Sequence, residues 1–251
     1  MQRVLITAGA AGIGREFARA FAATGSRVFI CDIDAENLAA MAKESPGLVA
    51  SRCDMSQRAE IERMVPEAAA ALGGIDVLIN NAGIAGLTLP VEQYPPDDWD
   101  KVLSVNLTSM FDVSRLAIPH LKKSKAGCII NMASIAGRFG FENRSPYAAT
   151  KWAVIGFTKT LAMELGAFGI RANAIAPGAV AGDRIVRVFQ GRAQISGQSM
   201  EEVQAAAFAA QSIKDFIDPK DIAQLAVFLA SPAAKSISGQ VVPIDNDRRH
   251  A

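Results

Sequence analysis

Residues 4–18 read VLITAGAAGIGREFA, an apolar run followed by a glycine-rich turn and a segment with helical spacing. A short β-branched run of this kind is typical of a buried strand. In such a strand–turn–helix unit, glycines permit a tight turn and a close approach to phosphate, and helix amides face the anion. Gly12, Ile13 and Gly14 lie at the predicted helix start, and Gly9 precedes them. The stretch predicts a dinucleotide loop, although any tight βα turn can carry the same glycines.

The alternation of strand and helix continues to the end of the chain. Apolar runs predict strands at Val4–Thr7, Arg27–Cys31, Leu48–Cys53, Ile75–Asn80, Cys128–Met132, Ala172–Ala176 and Gln240–Ile244. Helical spacing predicts helices at Gly14–Thr24, Ala35–Lys43, Gln57–Ala71, Trp99–Lys122, Tyr147–Leu165 and Pro219–Leu229. This order predicts an α/β protein, a doubly wound Rossmann fold with a seven-stranded parallel sheet and helices on both faces. Residues 1–251 are expected to form a single domain.

Residues 182–216 break this rhythm with polar sequence between the last two strands. Their length suits about two helices, and an excursion from the C-terminal end of a strand is a suitable position for a substrate lid. A surface insertion without a role in binding is the alternative.

Composition excludes several classes of protein. Lys and Arg total 26 against 25 Asp and Glu, so nothing in the charge favours nucleic acid or an anionic membrane as a partner. Cys31, Cys53 and Cys128 lack disulfide or metal-site spacing and are predicted to be buried thiols, with no metal expected. No signal-type leader or membrane-length apolar run is found, so a cytoplasmic location is expected.

Asp32 ends the second predicted strand, eighteen residues after Gly14. A carboxylate at this point can accept hydrogen bonds from the adenosine ribose and would repel a 2′-phosphate. We therefore predict NAD rather than NADP. A role for Asp32 as a helix N-cap is the alternative, although Asp34 is better placed for that role.

Tyr147 and Lys151 lie four residues apart in a helical segment and therefore share one face. A neighbouring ammonium lowers the pKa of a phenol, which makes a general acid/base that works near neutral pH. Ser134 follows the fifth strand, at the sheet edge where ligands bind in open α/β folds. A Tyr-x-x-x-Lys pair by itself is more often a solvated helix face.

Together these motifs resemble the classical short-chain dehydrogenase/reductase family, over nearly the whole chain. They are, in chain order, the glycine loop, Asp54, Asn80-Asn81-Ala82-Gly83, Asn106, Ser134, the Tyr147–Lys151 pair and Pro177-Gly178. Ser134 precedes Tyr147 by thirteen residues, the usual family interval.

The resemblance implies roles for the matching residues. Tyr147 would be the acid/base, Ser134 would bind the substrate oxygen, Lys151 the nicotinamide ribose, and Asn106 a relay water. NAD would be contacted by Gly9, Gly12, Ile13, Gly14, Asp32, Asp54, Met55, Asn81, Gly83, Tyr147, Lys151 and the backbone of Val180. Family members usually form tetramers through the helices that contain Asn106 and Tyr147, so a homotetramer is expected.

Two positions depart from the family pattern. Ala8 replaces the first loop glycine; Gly9 could absorb the altered backbone, so dinucleotide binding is expected to survive. Gly182 replaces a threonine near the nicotinamide amide, so positioning of that amide is expected to depend more on backbone or on Asp183, with a more mobile lid.

Residues 89–111 are similar to the matching part of 3-hydroxybutyrate and polyol dehydrogenases. Arg144 stands where the hydroxybutyrate enzymes have a carboxylate-binding lysine, but two other carboxylate-binding positions are Ala85 and Ala136 here. That pocket is therefore incomplete. Arg144 is a candidate to bind a small anion, but a surface arginine paired with Glu142 is slightly favoured. Arg138, Arg184, Arg187 and Arg192 could add positive charge, although arginines on lid helices are more often solvated.

The function predicted is hydride transfer between NAD and a small secondary alcohol or ketone, with a hydroxy acid or polyol derivative among the possible substrates. An NADPH-dependent 3-oxoacyl reductase is the alternative within enzymes. A catalytically inactive scaffold that senses a dinucleotide is the alternative from another class.

Overall fold

The seven strands form one parallel sheet in the order β3-β2-β1-β4-β5-β6-β7, in a computed structural model that describes residues 1–249. The strands are β1 Arg3–Thr7, β2 Arg27–Asp32, β3 Val49–Arg52, β4 Val77–Asn80, β5 Cys128–Met132, β6 Arg171–Pro177 and β7 Val241–Ile244. The predicted fold class is confirmed. β3 and β4 are each two residues shorter than predicted, and β6 is two residues longer.

Nine α-helices cover the sheet within residues 1–249. They are α1 Gly12–Ala23, α2 Ala35–Glu44, α3 Arg58–Leu72, α4 Pro96–Leu103, α5 Ser109–Leu121, α6 Ser145–Leu165, α7 Asp183–Ser196, α8 Met200–Ala209 and α9 Pro219–Ala230. The single helix predicted over 99–122 instead begins at Pro96, and a π-helical turn, Ser104–Thr108, joins α4 to α5. Proline suits the first turn of a helix, where its missing N–H has no intrahelical partner.

Alternate residues of β1 serve two separate cores. Val4 and Ile6 belong to the apolar cluster that includes residues of α1 and α9, whereas Leu5 belongs to the cluster that includes residues of α3 and α5. Successive side chains of a strand point to opposite faces, so both faces of the sheet are covered. The three cysteines are buried and free, as predicted.

The chain reverses its direction of travel across the sheet between β1 and β4, which are adjacent strands. Such a switch point opens a crevice at the carboxyl ends of the strands. Here the Thr7 hydroxyl accepts the amides of Asn81 and Ala82, both at 3.0 Å, and the Asn81 side chain donates to the Ala8 carbonyl at 2.9 Å. These bonds hold the glycine loop against the end of β4.

The segment 182–216 contains two helices, α7 and α8, as its length predicted. Phe189, Val203 and Ala207 form a small apolar cluster of their own, against which Phe216 packs. This cluster gives the segment a packing surface separate from the two cores of the sheet. Within residues 1–249, no helix has the length and apolarity that a membrane crossing requires.

Candidate active site

A cavity of about 570 Å³ opens at the carboxyl ends of the strands, between the glycine loop, the ends of β5 and β6, and α7. Most of the residues predicted for the site line it: Gly12, Ile13, Gly14, Asp32, Asn81, Ser134, Arg144, Tyr147, Lys151 and Val180. Five predicted residues do not line it: Gly9, Asp54, Met55, Gly83 and Asn106.

The glycine loop has a different backbone from the one expected. Ala8 itself takes the left-handed conformation, with φ of 51°, and Gly12 has φ of 52°. The expectation that Gly9 would absorb the altered backbone is therefore wrong. Gly9 is required for packing instead, because a Cβ there would lie 2.7 Å from Ile30 of β2. A Cβ on Gly14 would meet the Ala8 carbonyl oxygen at 1.9 Å, so α1 and the loop touch backbone to backbone.

The N-terminus of α1 and Asp32 suit a dinucleotide. The residue before α1, Ala11, provides no side-chain cap, and Gly12 has open space around it, so the first amides of the helix are accessible from the cavity. The Asp32 carboxylate accepts the backbone amide of Ala10 at 3.1 Å and that of Asp34 at 3.2 Å. Asp34 caps α2, as its position predicted, which removes the alternative role for Asp32.

Asp54 and Met55 follow β3 and are not among the residues that line the cavity. One Asp54 carboxylate oxygen accepts the Ser56 amide at 2.9 Å and so closes its own turn. The Met55 sulfur lies 3.9 Å from the thiols of both Cys31 and Cys53, within an apolar cluster. An adenine contact by either residue stays a prediction.

Lys151 and Tyr147 lie on one face of α6, as their spacing predicted. The Lys151 ammonium is 3 % exposed, donates to the Met132 carbonyl at 2.7 Å and lies 5.6 Å from the centre of the Tyr147 ring. Ser134 is buried at the end of β5, where its hydroxyl accepts the Ala136 amide at 3.1 Å and also acts to lower the pKa of Tyr147. The end of β5 and one helix turn therefore bring these three groups together.

Asn106 occupies the π-helical turn and is fully buried. Its side chain accepts the Ile84 amide at 2.7 Å and donates to the Ile84 carbonyl at 3.0 Å and to the Thr150 hydroxyl at 3.2 Å. A Cβ on Gly83 would lie 3.3 Å from the side-chain Oδ1 of Asn106 and 3.6 Å from the Lys151 ammonium. These hydrogen bonds fix Asn106 against Thr150, the residue that precedes Lys151. π-helical turns often mark functional sites.

Opposing effects set the pKa of Tyr147. Burial acts to raise it, but the positive charge of Lys151, then that of Arg184, the hydrogen bond from Ser134 and the charge of Arg144 lower it below the ordinary tyrosine value. The pKa of Lys151 is also lowered, in this case by burial and by the charge of Arg184. Tyr147 opposes both effects. The site therefore favours a phenolate more than water does.

Arg144 is buried, in contrast to the favoured prediction of a surface arginine paired with Glu142. Only 4 % of it is exposed, and it donates to the Ala85 carbonyl at 3.1 Å. Its guanidinium carbon lies 4.6 Å above the centre of the Tyr147 ring. Arg144 is buried because it immediately precedes α6 at the cavity wall, where its guanidinium lies between the Tyr147 ring and the Ala85 carbonyl.

The backbone of Val180 faces away from Ile217. Its neighbours pair with Ile217 instead, through the Ala181 amide at 3.0 Å and the Ala179 carbonyl at 2.8 Å. Because adjacent peptide groups of an extended strand alternate in direction, the amide and carbonyl of Val180 point to the opposite side. Val180 also lines the cavity, as a contact through its backbone would require.

Comparisons with known proteins agree with this geometry. A family model described as enoyl-(acyl carrier protein) reductase matches residues 8–246. The chain is 37 % identical over 247 residues to D-beta-hydroxybutyrate dehydrogenase of Cupriavidus necator, covering 96 % of this chain and 95 % of that protein. The chain belongs to the short-chain dehydrogenase/reductase family. The expected oxidoreductase class is thereby confirmed.

Two further relatives of this short-chain dehydrogenase/reductase show how broad the likeness is. It is 36 % identical over 245 residues to 3-oxoacyl-[acyl-carrier-protein] reductase of Thermotoga maritima, with 96 % of this chain and 95 % of that one covered. The crystal structure of an actinorhodin polyketide ketoreductase with NADPH superposes with a TM-score of 0.92 at 31 % identity, covering 97 % of this chain and 95 % of the other.

Some cavity residues carried no usable signal in the sequence. The Met132 carbonyl that binds Lys151 is backbone, and backbone groups leave no trace in residue type. Phe141 and Arg248 also line the cavity, although neither belongs to a family motif. Arg248 arrives through a turn after β7 in which Asn246 and Asp247 both have left-handed backbone.

Proposed function

We propose that this protein is an NAD-dependent oxidoreductase that interconverts a small secondary alcohol and its ketone. The observation that carries the proposal is the grouping of Ser134, Tyr147 and Lys151 in one cavity with Asp32. The first three residues provide proton transfer at an oxygen atom, and Asp32 lies where an adenosine ribose would be bound.

Each chain residue has a definite task in this scheme. The Tyr147 hydroxyl takes the proton from the alcohol during oxidation and returns it during reduction. Ser134 donates a hydrogen bond to the reacting oxygen and holds it near Tyr147. Lys151 keeps the pKa of Tyr147 low. Asn106 holds the π-turn beside Lys151 through its hydrogen bond to Thr150. The bound nicotinamide supplies or accepts the hydride.

For the cofactor, we propose that Gly9, Gly12, Ile13 and Gly14 form the phosphate loop, with Val180 as a backbone contact. Asn81, Gly83, Asp54 and Met55 complete the proposed set. The preference for NAD rests on Asp32, whose carboxylate would repel a 2′-phosphate.

The 3-oxoacyl reductase is the second candidate, supported by the Thermotoga relative. The Asp32 carboxylate disfavours NADPH. Positions 11 and 33, where a basic residue could offset its charge, are Ala11 and Ile33. The inactive scaffold is disfavoured because the residues that transfer the proton are all present.

We further propose that residues 182–216 act as the substrate lid of a single 1–251 domain. Arg184 of α7 donates to the Gly83 carbonyl at 2.6 Å, so this segment bridges the cavity to the loop after β4. A homotetramer and a cytoplasmic location stay predictions of the same proposal.

The proposal is tested by NAD⁺ reduction at alkaline pH with neutral secondary alcohols, polyols and hydroxy acids, each repeated with NADP⁺. Tyr147→Phe should lose about 100-fold or more of the activity, since it removes the acid/base. NADH binding, followed by fluorescence, should persist in the variant. Turnover of Tyr147→Phe near the wild-type rate would contradict the mechanism, and NADH binding without turnover of any substrate would favour the scaffold.

A further inference from the structure

Two arginines from different parts of the chain line the same cavity as Tyr147. Arg144 precedes α6, and Arg192 belongs to the third turn of α7, 48 residues later. Both line the cavity, where burial first and then the positive charge of Arg144 lower the pKa of Arg192. The lid therefore brings a second guanidinium to a place that already holds one.

Neither guanidinium forms an ion pair within residues 1–249. The Nε of Arg144 is buried and has no hydrogen-bond partner, and one bond to the Ala85 carbonyl is the hydrogen bond found for this guanidinium. Arg192 has its guanidinium carbon 5.3 Å from the centre of the Phe141 ring. A buried cation with unused donors is costly unless an anion accompanies it.

The nearby carboxylates do not fill this role. Asp245 is buried but is paired with Arg138 at 2.7 Å, and it does not act on the pKa of Arg144 or Arg192. Glu142 acts on Arg192 from an exposed position and makes no ion pair with either arginine. Burial, the charge of Arg144 and that of Arg248 lower the pKa of Arg192 to about 10, against the opposing effect of Glu142.

The pair lies close to the reacting position. The Arg144 guanidinium stacks on the ring of Tyr147, whose hydroxyl is at the far end of the same ring. An anion bound by Arg144 would thus lie only a few bonds from an oxygen atom held by Tyr147 and Ser134. Guanidinium groups bind planar or tetrahedral oxyanions with paired hydrogen bonds.

We propose that Arg144 and Arg192 form an anion subsite, and that the substrate is a short secondary alcohol with an anionic head group a few bonds from the hydroxyl-bearing carbon. This inference rests on the proposed function, and it names the substrate class and the second residue that selects it. Because Arg192 lies on α7 and Arg144 precedes α6, an anion bound by both would join the lid to the start of α6.

The subsite is tested first by binding, without turnover. The enzyme saturated with NADH is titrated calorimetrically with butyrate, propanesulfonate or propyl phosphate, and with neutral butyramide as the matched control. We expect at least one anion to bind and butyramide to bind far more weakly. The anion that binds most tightly distinguishes a carboxylate, sulfonate or phosphate head group.

Arg192→Gln should weaken binding of that anion by about 10- to 100-fold, the usual effect of losing a hydrogen bond to a charged group. Arg192→Lys should restore part of the loss. Arg63→Gln removes an equal charge from an exposed part of α3 and should leave the affinity unchanged. Arg144→Gln is a second variant, and Arg192→Gln tests the proposal even if Arg144→Gln fails to fold.

A parallel assay measures kcat/KM for 3-hydroxybutyrate and 3-hydroxybutyramide, together with the sulfonate and phosphate counterparts. We expect Arg192→Gln to reduce the ratio of the preferred acid to the amide by about 10- to 100-fold. An unchanged ratio, or butyramide binding as tightly as every anion, would overturn the subsite. Oxidation of neutral alcohols alone would overturn the subsite and leave the proposed function intact. Anion binding without oxidation of any alcohol would support the subsite and contradict the proposed function.

Discussion

Tyr147 depends on its neighbours for its acidity. Burial alone would raise the pKa of Tyr147, but Lys151 and the other surrounding groups lower it below the ordinary value of 10.0. Alcohol oxidation requires the phenolate, so kcat/KM for oxidation should rise with pH until this lowered pKa and then level off. Reduction requires the protonated phenol and should fall over the same range.

Lys151→Met should move this pH profile to higher pH, because it removes the charge that most strongly lowers the pKa of Tyr147. The phenolate fraction at neutral pH falls about tenfold each time the pKa of the phenol rises by one. Lys159→Met, an exposed lysine on the same helix, should leave the midpoint in place. The measurement is kcat/KM against pH, and a midpoint unmoved by Lys151→Met would show that Lys151 serves only in binding.

Ala8 is strained where the family has glycine. A residue with a Cβ in the left-handed region costs about 1–2 kcal/mol, and glycine adds back about 0.4–1 kcal/mol of unfolded-state freedom. Ala8→Gly should therefore raise the free energy of unfolding by about 0.5–1 kcal/mol, measured by urea denaturation. Gly9→Ala should lower it, because its Cβ would collide with Ile30. A loss of stability in Ala8→Gly would argue against the strain.

At the scale of elements, α7 begins only because Gly182 allows an unusual backbone. Gly182 has φ of 129° and ψ of 178°, a region that is almost restricted to glycine. The threonine common in the family at this position is incompatible with the conformation observed here. Greater mobility of the lid, which the missing threonine led us to expect, stays a prediction.

Gly182→Thr should loosen the start of α7 by about 1–3 kcal/mol. Limited proteolysis with mass spectrometry should show faster cleavage within residues 182–216, with a smaller effect on global unfolding. The effect on cleavage should be larger because the lid has its own apolar cluster and can open locally. Local opening requires less free energy than global unfolding. Ala181→Thr, which adds the same side chain one residue earlier, should change the cleavage rate less. Equal rates for both variants would contradict the argument.

The whole molecule leaves apolar surface on the helices expected to join subunits. Phe111 of α5 is 48 % exposed, and Trp152 and Met163 of α6 are 52 % and 85 % exposed. Phe168, just after α6, is 50 % exposed. Large exposed apolar side chains grouped on two helices indicate an interaction surface.

Light scattering should therefore give a mass about four times the 26.5 kDa of one chain. Trp152→Lys should shift the protein to smaller assemblies, because it places a charge at the centre of this apolar surface. Val49→Lys, on the edge strand β3, should leave the mass unchanged, since lysine is tolerated on sheet edges. A monomer in the wild-type protein would refute the tetramer.

The sequence alone determined much of this protein. The alternation of apolar strands with helices sets the doubly wound sheet, because each strand is too short and too apolar to be anything else in that order. The spacing of Tyr147 and Lys151 placed them on one helix face, since the α-helical repeat is fixed by local geometry. Asp34 acts through hydrogen bonds to the amides two and three residues after it.

Only the tertiary structure decided the features that depend on distant neighbours. Arg144 could be solvated or buried, and its contacts with the distant Ala85 carbonyl and the Tyr147 ring decide between them. The packing of Gly9 against Ile30 joins the loop to β2, and the bond from Lys151 to Met132 joins a helix to a strand. The meeting of Arg144 with Arg192 joins segments far apart in the chain, and no local pattern records such contacts.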